Sequence, residues 1–145
     1  MSNSSSEKAP TWFSIVAVVA LIWNLLGCMA FYMQVTMTDE ALALLPAAEQ
    51  ALYDSYPPWA VTAFALAVFG GAVGSLLLLL KKRIARPVLI LSLAGVFIQM
   101  GHSFFIAKSY EVYGPGAMAM PILVIVVAIY LVALSRKAIK SGWIS

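Results

Sequence analysis

Between Trp59 and Lys81 the chain carries no charged residue, and Lys81, Lys82, Arg83 and Arg86 follow at once. At ~1.5 Å per helical residue, a run of about 20 apolar residues covers the ~30 Å hydrocarbon core of a bilayer. A helix of that length ending on cations is expected to cross a membrane with its basic end on the cytoplasmic side. Composition agrees: only 10% of the 145 residues are charged and 63% are hydrophobic. A soluble domain carries about 25% charged residues, so this chain has too little polar surface to cover a water-exposed globule.

Three more runs share that character. The sequence predicts spans at about 12–35, 59–80, 88–107 and 117–134 in a single membrane domain, after a polar, Ser-rich tail over residues 1–11 that is expected to be disordered. A cleaved leader is not expected, because the first apolar run is too long and nothing basic precedes it in excess. Trp12 and Trp143 are placed as anchors of one interface, and Phe31, Tyr32, Tyr56 and Trp59 of the other. Pro87 suits a first helical turn.

Charge then sets the orientation. Residues 36–58 hold Asp39, Glu40, Glu49 and Asp54 and no cation, whereas residues 81–87 hold four cations and the tail after Leu134 holds Arg136, Lys137 and Lys140. Both termini and the basic loop are therefore expected in the cytoplasm. The expected fold is all-α: an integral four-transmembrane-helix bundle, N-in and C-in, with a short amphipathic helical segment in the outer loop. Thr38-Asp39-Glu40 reads as a helix start with acids in its first turn. Pro46 interrupts that helix or begins a second, and Leu45, Ala48 and Leu52 share a face that either stays solvated or lies on the membrane.

Helices in lipid associate through close backbone approach and polar pairing, not through apolar burial. Ala63, Ala67, Gly71 and Ser75 form a ridge at intervals of four, and Gly70 and Gly74 form an overlapping one. That ridge fits either a seam inside one bundle or a homo-oligomer contact. Ala20, Asn24 and Cys28 make a narrow small-polar face on the first span. The third span carries Ser92, Gly95, Gln99, His102 and Ser103, the most polar face in the chain. Asn24, Gln99, His102 and Ser103 thus form a candidate polar intramembrane cluster, whose members need hydrogen-bond partners in hydrocarbon. His102 reads as a neutral imidazole bonded to Gln99, Ser103 or a neighbour, as a pH- or substrate-sensing group, or as a haem or metal ligand. Asn24 and Gln99 read as helix clamps or as substrate contacts. Met29, Met33 and Met37 read as a packing stripe before a copper path.

Several classes drop out. Cys28 and His102 are the only cysteine and histidine, which excludes a Cys/His zinc site within one chain. The cations sit at helix ends without an arginine–aromatic patch, so no nucleic-acid partner is expected. No span holds Asp or Glu, which disfavours a proton-driven pump. No Ser/His/Asp set, HExxH, P-loop or GxGxxG is present, so neither catalytic residues nor a cofactor site is expected.

Trp23-Asn24-Leu25-Leu26-Gly27, Gln34, Tyr56-Pro57-Pro58-Trp59-Ala60 and Val68-Phe69-Gly70-Gly71 resemble a group of small four-span bacterial inner-membrane proteins, many of them named sugar transporters. The resemblance runs from about Trp12 to Lys137 and implies a sugar-moving function. From the residues alone, three readings stand in order: a structural or accessory membrane component, a facilitative small-solute transporter acting as a homo-oligomer, and a haem-binding redox protein. The expected partners are the lipid bilayer and either further copies or a larger membrane assembly.

Overall fold

The structure is a computed structural model that describes residues 8–145. Most of the expected disordered tail, residues 1–7, lies outside the described residues. The helices are α1 (Thr11–Val35), α2 (Asp39–Ala43), α3 (Ala47–Asp54), α4 (Pro58–Leu79), α5 (Ala85–Gly101), α6 (Ser109–Tyr113) and α7 (Ala119–Lys140). A π-helical turn over His102–Ile106 prolongs α5, and a 3₁₀ turn over Pro115–Met118 leads into α7. Among the described residues there is no strand. Thr11–Val35, Pro58–Leu79, Ala85–Ile106 and Ala119–Lys140 are long and apolar enough to cross a membrane.

The first two agree closely with the expected spans, and the other two differ for local reasons. The third helix begins at Ala85, which still leaves Pro87 in a first turn where its missing N–H breaks no helical bond. The fourth begins later than expected because Pro115–Met118 is wound as a 3₁₀ turn, and it runs through Arg136 and Lys137 to Lys140. Leu134 ends the apolar run but not the helix. In the acidic connection, the Thr38 hydroxyl accepts from the Ala41 N–H at 3.1 Å, and Asp39 and Glu40 occupy the first turn of α2. Pro46 sits at the N-cap of α3, and Gln50 Nε2 donates to the Leu45 carbonyl at 2.8 Å across the break. Ala48 is exposed while Leu52 is half-buried, so the supposed Leu45–Ala48–Leu52 face is divided.

The small residues of α4 serve two neighbours. Towards α1, a Cβ on Gly71 would overlap Asn24 Oδ1, and a Cβ on Gly27 would come within 2.9 Å of Val68. Asn24 Nδ2 donates to the Ala20 carbonyl at 2.9 Å and reaches Ser75 Oγ at 3.5 Å, and Cys28 Sγ approaches the Val68 carbonyl at 3.5 Å. The small-polar face of α1 is therefore its seam with α4. Towards α5, Gly70 meets Ser92 and Gly74 meets Leu89. A Cβ on Gly95 would lie 2.7 Å from the Ala63 carbonyl oxygen and 2.8 Å from the Ala67 nitrogen. The Ser92 hydroxyl donates to the Ala67 carbonyl at 2.6 Å. Ala63, Ala67, Gly71, Gly74 and Ser75 are all buried inside one chain.

α7 packs mainly on α5, so α1 and α7 flank the central α4–α5 pair. They come together at the basic end, where Phe13, Leu78, Ala85, Leu134, Ala138 and Ile144 share one core. Trp12 and Trp143 meet edge to face at 5.5 Å, and Lys137 Nζ lies 5.6 Å and 5.8 Å from their rings. The Ser145 N–H donates to the Lys81 carbonyl at 3.1 Å, and the Arg83 N–H donates back to Ser145 at 2.9 Å.

The two glycine contacts differ in what obstructs them. Gly71→Ala is expected to cost roughly 1–3 kcal/mol in a reversible unfolding titration in mixed micelles, and most of that cost should vanish when Asn24 is also replaced by Ala, because the obstacle is a side chain. Gly95→Ala meets backbone and should show no such relief in the Asn24→Ala background. Equal coupling of both glycines to Asn24 would contradict the two-sided packing of α4.

Candidate functional site

Away from the basic end, α1 and α7 are not among the closely packed helix pairs. Between them, over the α4–α5 pair, lies a cavity of about 420 Å³. Small-molecule pockets occupy ~300–1,000 Å³. Its walls are mostly apolar, with Trp23, Phe64, Val68, Val96, Val124 and Leu131 among them. Leu26 on α1 and Met120 on α7 also line it, and they are 57% and 59% exposed, so they form the rim of a side opening. Towards the basic end, Leu89 and Leu131 close it, since both belong to the buried core. Asn24 and Ser92 also line it, but both are committed to helix seams through the bonds given above. Gln99 remains as its polar wall residue.

A second cavity of about 160 Å³ lies at the acidic end. Gln34 of α1, Tyr53 of α3, Tyr56, Gln99, His102 and Tyr113 contribute to it, with Ser103 beside them. The π turn creates this wall. Its i→i+5 bond runs from the Ala107 N–H to the His102 carbonyl at 2.8 Å. The extra residue widens the helix where the last polar side chains of α5 emerge, a distortion that recurs at functional sites. The short helices α3 and α6 pack against each other over this end.

His102 is 3% exposed. Its ring is held edge to face between Tyr56 at 5.1 Å and Trp59 at 5.3 Å. The expected bond from His102 to Gln99 or Ser103 does not satisfy Nδ1, which has no partner among the described residues. The neighbouring Tyr56 hydroxyl is also buried without a partner. Burial pushes that hydroxyl above the usual tyrosine value, partly offset by the nearby amides of Gln99 and Gln34, although neither closes a hydrogen bond on it. Burial, then the Glu49 carboxylate and Tyr53, push Tyr113 up as well.

The expected polar cluster is thus divided. Gln99, His102 and Ser103 share the smaller cavity, Asn24 lines the larger one while clamping α1 to α4, and Gln99 belongs to both. Aromatic residues before a span are ordinarily headgroup anchors, so the sequence marks Tyr56 as an interface residue and does not single out Tyr53. Gln34 and the Tyr56-Pro57-Pro58-Trp59 run stood out only in the resemblance. Met29 and Met33 are largely exposed and line neither cavity. Among the described residues no three His, Cys, Asp or Glu side chains are grouped to hold a metal ion.

Comparison with family models, with curated proteins and with solved structures gives no match.

Tyr56→Phe removes an oxygen that has no partner, so the folded protein is expected to be unchanged or stabilised by up to about 1 kcal/mol, measured by the same micellar unfolding titration. The folded hydroxyl keeps its proton to higher pH than an unfolded tyrosine. Above pH ~10 the unfolded chain then binds fewer protons than the folded one, and stability falls as pH rises. The Tyr56→Phe protein should lose less stability between pH 9 and 11, about one unit either side of that value, than the parent. A destabilised variant with an identical alkaline profile would show that the hydroxyl is satisfied after all.

Proposed function

We propose that this chain is a non-catalytic accessory component of a bacterial inner membrane that holds an apolar molecule taken laterally from the bilayer. Both termini and the 81–87 loop are placed in the cytoplasm, following the collection of cations at that end. The acidic connection and α6 then face the periplasm. The observation that carries this reading is the cavity between α1 and α7: apolar, rimmed by exposed Leu26 and Met120, and closed towards the basic end by Leu89 and Leu131.

A sugar path needs polar groups along its length, because every hydroxyl stripped of water must find a partner. Here Ser92 already bonds to the neighbouring helix, and Asn24 bonds to Ala20 of its own helix while reaching Ser75 of α4. Apolar walls and a sideways mouth suit a hydrophobic guest better than a hydrated one. The buried small-residue ridge of α4 also weighs against its use as a seam between copies, which the transporter reading requires.

Two measurements test this. In proteoliposomes, labelled hexose should enter no faster than in protein-free vesicles. A saturable flux abolished by Asn24→Ala and Gln99→Ala would replace this reading with the transporter. Mass spectrometry of the purified protein should find an apolar molecule at a fixed ratio to the chain, and Ala128→Phe, which fills the cavity wall, should remove it.

A further inference from the structure

We propose that the two cavities form one site for a single-chain amphiphile with an uncharged hydroxyl head, the tail in the larger cavity and the head between Tyr56 and His102. This rests on the reading of the larger cavity as a seat for an apolar guest, and it assigns the chemistry of the guest's polar end. Gln99 is the hinge of the inference, because it lines both spaces. An apolar chain lying along Val96 and Phe64 would bring its end to Gln99 and the smaller cavity.

Among the described residues, two buried polar atoms at that end lack partners, Tyr56 Oη and His102 Nδ1. Native proteins rarely leave such atoms unsatisfied, because each costs about 1–3 kcal/mol. A hydroxyl supplies what both lack. It donates to an unprotonated Nδ1, the state of an imidazole carrying its proton on Nε2, and its oxygen accepts from the Tyr56 O–H. Both residues line the smaller cavity, where their rings meet edge to face at 5.1 Å, so a head group seated there lies beside both.

Charge decides against ionic heads. Among the described residues, no Lys, Arg, Asp or Glu lines either cavity. Lys108, next to the lining residues Ala107 and Ser109, has an exposed side chain. Glu49 stands close enough to raise Tyr113, which disfavours a carboxylate or phosphate head. Glu49 acts on Tyr113 but does not itself line the cavity, so an ammonium head would face an imidazole and amides without a carboxylate in contact.

His102 is the only histidine, so histidine labelled with ¹⁵N in its ring gives one imidazole to follow in the full chain in lipid nanodiscs. Titration with n-dodecanol should move the Nδ1 resonance saturably. Dodecane and dodecanoate at equal membrane loading should leave it in place. Tyr56→Phe should weaken the dodecanol midpoint by roughly fivefold, the loss of one hydrogen bond. Ala128→Phe should abolish the response. If dodecanol displaces the co-purified apolar molecule but leaves the imidazole unmoved, the head assignment fails while the apolar seat stands. If it does neither, both fail. An equal response to dodecane would also overturn the assignment.

Discussion

Apolar side chains gain little by leaving lipid for one another, so in hydrocarbon the helices that approach most closely are those whose surfaces are small. In this chain α4 has such surfaces on two sides. Gly71 and Ser75 receive Asn24 of α1, and Gly70 and Gly74 receive Ser92 and Leu89 of α5. Gly95 answers from α5 by letting its backbone approach Ala63 and Ala67. The polar groups at these seams bond across helices or back to their own carbonyls, which removes most of the cost of holding them in hydrocarbon. Three helices are thereby fixed side by side before the fourth is considered.

The fourth helix explains the cavity. The small or polar residues that α7 buries, Ser135 and Ala138, lie in its basic half, with Leu131 and Leu134 beside them. Its other half presents Ile122, Leu123 and Val126 outward. α7 joins the core near Phe13 and Trp143, and further along Val124 and Ala128 line the space between it and α1. The buried small residues of α7 thus mark the half that packs.

What could be read from sequence divides along the same physical line. The α4 ridge, the Ala20–Asn24–Cys28 face and the Thr38 and Pro46 boundaries are legible because each depends on spacing within a few residues of one helix. The inward turn of Tyr56 is not, since an aromatic residue before a span has the same sequence appearance whether it points to headgroups or into a cavity. Nor is the π turn at His102: His102-Ser-Phe-Phe-Ile contains neither Gly nor Pro, and a regular α-helix is the default for such a run. Gln99, His102 and Ser103 were recognisable as polar residues on one helix. Their shared cavity depends on α3 and α6 folding over the end of α5, a contact between distant parts of the chain.

The two ends of the molecule also differ in how firmly they are held. At the basic end, Phe13 and Leu78 are fully buried, Lys137 lies near two tryptophan rings, and Ser145 bonds across to the 81–83 turn. At the acidic end, two buried polar atoms lack partners among the described residues beside the smaller cavity, and the cavity of about 420 Å³ separates α1 from α7 between the two ends. Local opening follows the distribution of contacts, so movement of α1 relative to α7 costs least at the acidic end. That is also where the rim residues Leu26 and Met120 stand. Defects of this kind are tolerated in one half because the other half is anchored, and a guest entering there would meet the part of the fold best able to adjust around it.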